Sequence, residues 1–126
     1  MANTVSDPAQ AQLFALAAEE KFLPQALYSG AKPEPLRLWL QSLVNQLIAN
    51  LAALPQADRD KDRVLAEFRS TLGSVGHVDS EEREQICCYL ERVMVILGIE
   101  SSDGLLNGWA YGSEVANLLR PGTSEA

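Results

Sequence analysis

The chain is poor in the residues that carry most protein chemistry. It has one histidine, His77, and two cysteines, Cys87 and Cys88, which are neighbours. A single imidazole with no spaced thiol pair cannot build a zinc site of the usual kinds, and no metal is expected. Adjacent cysteines in a helix cannot close a disulfide without distorting the backbone, so the pair reads as reduced thiols in a reducing compartment. Cations are also scarce. Lys and Arg number 10 against 17 Asp and Glu in 126 residues, a net charge of -7, which repels phosphate backbones and anionic head groups. No nucleic-acid or membrane partner is therefore expected. The uncharged stretch from Leu38 to Ala57 is broken by Gln41, Asn45, Gln46, Asn50 and Pro55, amides too costly for hydrocarbon. The opening MANTVSDPAQAQ has no basic segment followed by an apolar one, so a cytoplasmic location is expected. No nucleophile elbow, glycine-rich phosphate loop, paired-histidine motif or CxxC is found, and no catalytic residue or cofactor is assigned.

What is there is helical periodicity. Asp7 before Pro8 predicts a helix start, with a stripe of Leu13, Phe14, Leu16 and Ala17 running to about Phe22. A loop from Leu23 to Pro35 follows, with Tyr28 packing a short turn. The clearest element is the next, where Leu36, Leu40, Leu43, Val44, Leu47 and Leu51 keep the three-and-four spacing up to Leu54. Its opposite face, Leu38, Gln41, Ser42, Asn45 and Ala49, carries no charge, which predicts a central helix touched on several sides. A third helix is expected from Ala57 or Asp58, burying Val64, Leu65, Phe68 and Leu72 and ending at Gly73 to Gly76. A fourth is expected from Asp79 or Ser80 to Leu97, with Asp79 and Glu82 at capping-box spacing and Gly98 as the C-terminal cap. A short fifth around Leu105, Leu106 and Trp109 ends by Gly112; one or two turns follow at Glu114 to Leu119. No strand pattern occurs. The expected class is an all-α single-domain bundle over residues 1–120, four main helices plus a short C-terminal helix or lid, with a tail at 121–126.

The charge is uneven. Between residues 79 and 112, Asp79, Glu81, Glu82, Glu84, Glu91, Glu100 and Asp103 face only Arg83 and Arg92. Carboxylates at the start of the fourth helix are favoured by its dipole; the sharper reading is that Glu81, Glu82 and Glu84 form a patch that docks a basic partner. On the same helix Cys87 flanks the core face, while Cys88 and Val95 share the back. This stripe implies a second contact, either within the domain or to a partner. Asp58, Asp60 and Asp62 have the spacing of a calcium loop, but Arg63 and Arg69 occupy the positions where it needs Gly and Glu, so an ordinary helix start is the better account.

The most individual segment is Glu100-Ser101-Ser102-Asp103-Gly104-Leu105-Leu106-Asn107-Gly108-Trp109-Ala110-Tyr111-Gly112. Trp109 and Tyr111 either plug the end of the bundle or anchor a partner. With Phe22-Leu23, Leu27-Tyr28, Gly30-Ala31 and the Leu36 to Leu51 helix, this segment resembles a family of small bacterial proteins known only as a domain of unknown function, over roughly residues 14 to 112. The resemblance implies an all-helical domain and brings no activity, cofactor or catalytic residue. Gly108 and Ala110 depart from it where bulkier residues are expected beside the Trp. The functional expectation is a non-enzymatic protein-binding module that holds a protein partner, an immunity or antitoxin-type protein by analogy. The alternative is a small-molecule-binding protein or small enzyme with a pocket under the lid, using Ser102, Asp103, Asn107 and Tyr111 with Trp109 as a wall. A homodimer through the back of the fourth helix is a third possibility.

Overall fold

A computed structural model describes residues 7–111; the expected turns at Glu114 to Leu119 and the tail at 121–126 lie outside them. The protein is all-α. Helices α1 (Pro8–Ala18), α2 (Glu34–Ala53), α3 (Lys61–Val75) and α4 (Ser80–Leu97) occur in that order, and residues 105–111 form α5. Among the described residues, no helix is long and apolar enough to cross a membrane.

Asp7 caps α1 as predicted, its carboxylate accepting the Gln10 N–H at 3.0 Å. The helix stops at Ala18 instead of continuing towards Phe22. Glu19 is extended, and Lys21 folds back so that its Nζ donates to the carbonyls of Leu16 and Glu19 at 2.7 and 2.9 Å. Leu13 and Leu16 are buried, but Phe14 is half exposed, outside the stripe in which the periodicity places it.

The linker doubles back. Gln25 and Tyr28 exchange backbone hydrogen bonds, and the Ala31 N–H donates to the Phe22 carbonyl. Gly30, at φ +89°, lies so close to Pro24 that a Cβ there would sit 2.9 Å from its ring. Leu27 is left at the tip, almost wholly in solvent.

Helix α2 is the central one, meeting α1, α3 and α4. Its apolar face buries Leu40, Val44, Leu47, Ile48 and Leu51. Its uncharged face is only partly covered, Leu38, Ser42 and Ala49 being exposed, but α1 packs beside it: Gln41 accepts the Lys21 N–H at 2.7 Å, and the Gln10 amide donates to the Ala52 carbonyl at 2.9 Å. These two bonds, at opposite ends, make α1 and α2 antiparallel.

Helix α3 starts later than predicted because a 3-10 turn, Gln56–Asp58, intervenes. That turn frees Arg59, which is buried. Its guanidinium donates to the carbonyls of Leu51, Ala52 and Leu54 at the end of α2 and forms a bidentate pair with Asp7 at 2.9 Å. Asp60 is the true N-cap, accepting the Arg63 N–H. The helix then runs through Gly73 to Gly76.

Helix α4 keeps its predicted bounds and ends in a left-handed Gly98, with the Ile99 N–H returned to the Met94 carbonyl. Its predicted capping box does not form. The Asp79 side chain caps nothing, and Glu82 turns into the protein. Leu106 and Ala110 of α5 join the core that Ile86, Leu90 and Val93 of α4 share with α2 and α3.

Candidate functional site

The acidic patch differs from the one expected. Glu81 and Glu84 are exposed, but Glu82 is buried, its carboxylate accepting the Tyr28 hydroxyl at 3.0 Å. Burial and the neighbouring Glu82 push the Tyr28 phenol well above its ordinary range. Glu82 therefore belongs to the interior. The exposed acidic residues continue from Glu81 and Glu84 to Glu91 on α4 and to Glu100 just beyond its end.

Cys88 and Val95 lie on this face. With Ala15, Leu16 and Ile96 they line a groove of about 660 Å³ between α1 and α4. Of the two alternatives for this stripe, the contact within the domain is met in part: α1 forms one wall of the groove, while Val95 stays 79% exposed. Across the groove Arg92 and Glu19 form a bidentate pair at 2.8 and 2.7 Å. The Arg92 guanidinium holds the Glu19 carboxyl below the usual range. Burial, with Glu91 and Glu84 nearby, raises the Cys88 thiol. Burial pushes Cys87 up to about 12, and its Sγ faces the Leu106 carbonyl at 3.6 Å. Neither thiol is poised as a thiolate nucleophile.

The lid residues do not converge. Ser102 caps α5, its Oγ accepting the Leu106 N–H at 3.2 Å. Asp103 adopts φ +57° and is turned to Lys61 at 2.9 Å. The Trp109 carbonyl accepts a hydrogen bond from Arg83 at 2.7 Å, and the same guanidinium lies 4.9 Å from the indole centroid, a cation–π contact. Tyr111 is exposed. Ser102 and Asn107 share a recess of about 400 Å³ with Glu91 and Val95, and Asp103, Trp109 and Tyr111 do not line it. The polar set expected for a pocket under the lid is thus split among three directions. Among the described residues, no group of three or more His, Cys, Asp or Glu side chains is placed to hold a metal.

A buried polar cluster at the α1 exit has no counterpart in the sequence reading. Lys21 is fully buried, and burial brings its ammonium down to about 8. Its backbone carbonyl accepts from Arg37 at 3.2 Å. The next residue, Phe22, holds φ +63°; its N–H donates to the Tyr89 hydroxyl at 3.0 Å, and its ring packs edge-on against Tyr89 at 5.1 Å. Following Glu19 and Glu20, Lys21 has the local appearance of a surface residue, so no sequence signal marks it.

The fold has a solved relative. A DUF3571 family protein from Acinetobacter baumannii AYE, known from a crystal structure, is similar with a TM-score of 0.77 and 31% identity over 89% of this chain and 95% of that one. No curated protein matches the chain. Residues 4–114 match the family described as Domain of unknown function (DUF4844), and to that family, all-helical as the resemblance implied, the chain belongs.

Proposed function

We propose that the protein is a non-enzymatic cytoplasmic binding module that holds a basic protein partner against the outer face of α4. The observation that supports this reading is the composition of that face. Exposed Glu81, Glu84 and Glu91 border the open apolar surface of Cys88 and Val95. Exposed carboxylates in one field speed the encounter with a cationic partner and select it; the apolar strip between them supplies area to bury. The dispersal of Ser102, Asp103, Trp109 and Tyr111 leaves a ligand site under the lid without a convergent polar set.

The test is affinity capture of the tagged chain from host lysate at physiological salt, beside the Glu81→Lys, Glu84→Lys, Glu91→Lys variant. Glu82 is left alone because its removal would disturb the interior. The expected result is a specific basic protein bound by the parent and lost by the variant. A partner retained by the variant, or none at all, counts against the reading.

A further inference from the structure

We infer that the outer face of α4 is a docking trough for one kind of partner element, an amphipathic helix with a basic polar face. The inference deepens the function proposed above and rests on it. The groove between α1 and α4 is not isolated. It shares Glu91 and Val95 with the recess beside α5, and Glu19, Cys88 and Arg92 with a further hollow of about 440 Å³ beside the linker. That hollow in turn meets the exposed Leu27 turn through Gln25 and Gln85. The recesses adjoin in a row beside the 18-residue helix α4, itself about 27 Å long at 1.5 Å per residue, with the Glu19–Arg92 pair standing between the groove and the hollow. That length suits a helix of several turns laid in a groove.

The lining states the chemistry of the occupant. Ala15, Leu16, Cys88, Val95 and Ile96 make an apolar floor, which asks for a stripe of aliphatic side chains. Glu84, Glu91 and Glu100 stand along the rim and make no ion pair among the described residues. Arg92 is the cation within the trough, and Glu19 already holds it. Lys and Arg side chains flanking an aliphatic stripe fit this pattern, because their stems cover apolar surface while their charges reach the rim. The same charge argues against a second copy, which would set this acidic face against itself on a chain of net charge -7.

The experiment uses the full chain and a fluorescent helical peptide of about eighteen residues, with a Leu stripe at helical spacing and Lys or Arg elsewhere. A scrambled peptide of the same composition and an amphipathic peptide with Glu in place of the cations serve as probes of shape and charge. Val95→Glu tests the floor, and its high exposure makes it safe for folding; Leu38→Glu on α2, also exposed, tests an unrelated apolar site. Fluorescence anisotropy should show the basic amphipathic peptide binding about ten-fold more tightly than either other peptide. Val95→Glu should remove that preference, and Leu38→Glu should preserve it. Equal binding of the basic and scrambled peptides, untouched by Val95→Glu, would overturn the trough while leaving an acidic binding face. Failure of all three peptides would overturn it too, with the capture experiment judging the broader reading separately. A dimer in sedimentation that Val95→Glu splits would replace the helix with a second copy.

Discussion

Lys21 is a cation placed where the described chain offers no solvent, and its position has a measurable signature. Its ammonium caps the last carbonyls of α1 in place of water, a role open to a side chain that follows a helix. Burial depresses its pKa to about 8 from the ordinary 10.5. Below pH 8 both native and unfolded chains carry the proton, and the native state bears the full cost of burying the charge. Between pH 8 and 10.5 the unfolded chain holds the proton that the native chain has shed, so the contribution of Lys21 to stability rises with pH in that window. Cys87 and Tyr28, whose native pKa values are raised, act in the opposite sense at alkaline pH, so a comparison with Lys21→Met isolates the lysine. The stability difference should move in favour of the parent between pH 8 and 10.5 in urea titrations. A difference that stays flat would show that Lys21 is not desolvated in the native state.

At the scale of the elements, legibility followed the physics of each signal. Helix α4 could be read to its ends because a strong apolar period met a left-handed Gly98, both local features. Helix α2 is central as expected, but its wide apolar face accounts for this better than its uncharged one, where Leu38, Ser42 and Ala49 remain exposed. The end of α1 and the start of α3 were not visible, since Lys21 and Arg59 set them in part through bonds to Gln41 and Asp7, distant in sequence. Glu82 had the spacing of a capping residue, but Tyr28, distant in sequence, turned it inward. For the candidate site, the Cys88 and Val95 stripe was legible from the wheel of one helix; the groove was not, because α1 supplies its other wall. Two glycines separate local from tertiary control. Gly73 lies within α3, has an ordinary helical backbone, and a Cβ there meets nothing within 4 Å; Gly73→Ala should stabilise the protein by roughly 0.5–1 kcal/mol. Gly98 has equal space but φ +72°, so Gly98→Ala should cost about 1 kcal/mol. Opposite shifts in thermal midpoint check the pair, and shifts of one sign would contradict it.

In the whole molecule, charge pairs tie distant segments together and set the response to acid. Arg59 holds the Asp7 carboxyl below its ordinary 3.8, and Arg92 and Arg37 hold Glu19 and Glu34 below 4.5. Each carboxylate adds stability that is present above its unfolded pKa and lost as pH falls through the native value. The protein should therefore weaken progressively below about pH 4.5. Asp7→Asn should be less stable than the parent at pH 7, with the gap closing towards pH 3. Urea midpoints at the two values decide this, and a gap that persists in acid would mean that the Asp7 charge is not engaged.

The hydrogen bond from Phe22 to Tyr89 also has a consequence for how the chain is made. The partner of that amide lies 67 residues downstream, and the salt link of Glu19 reaches still further along, to Arg92. During synthesis from the N-terminus, α1 and α2 leave the ribosome well before either partner exists. The bend at Phe22, unfavourable in isolation, is held only by bonds from the linker and α2 until α4 brings Tyr89 to its amide. The first two helices must wait as an unfinished hairpin, covered in part by α3, for the last third of the described chain to close over them.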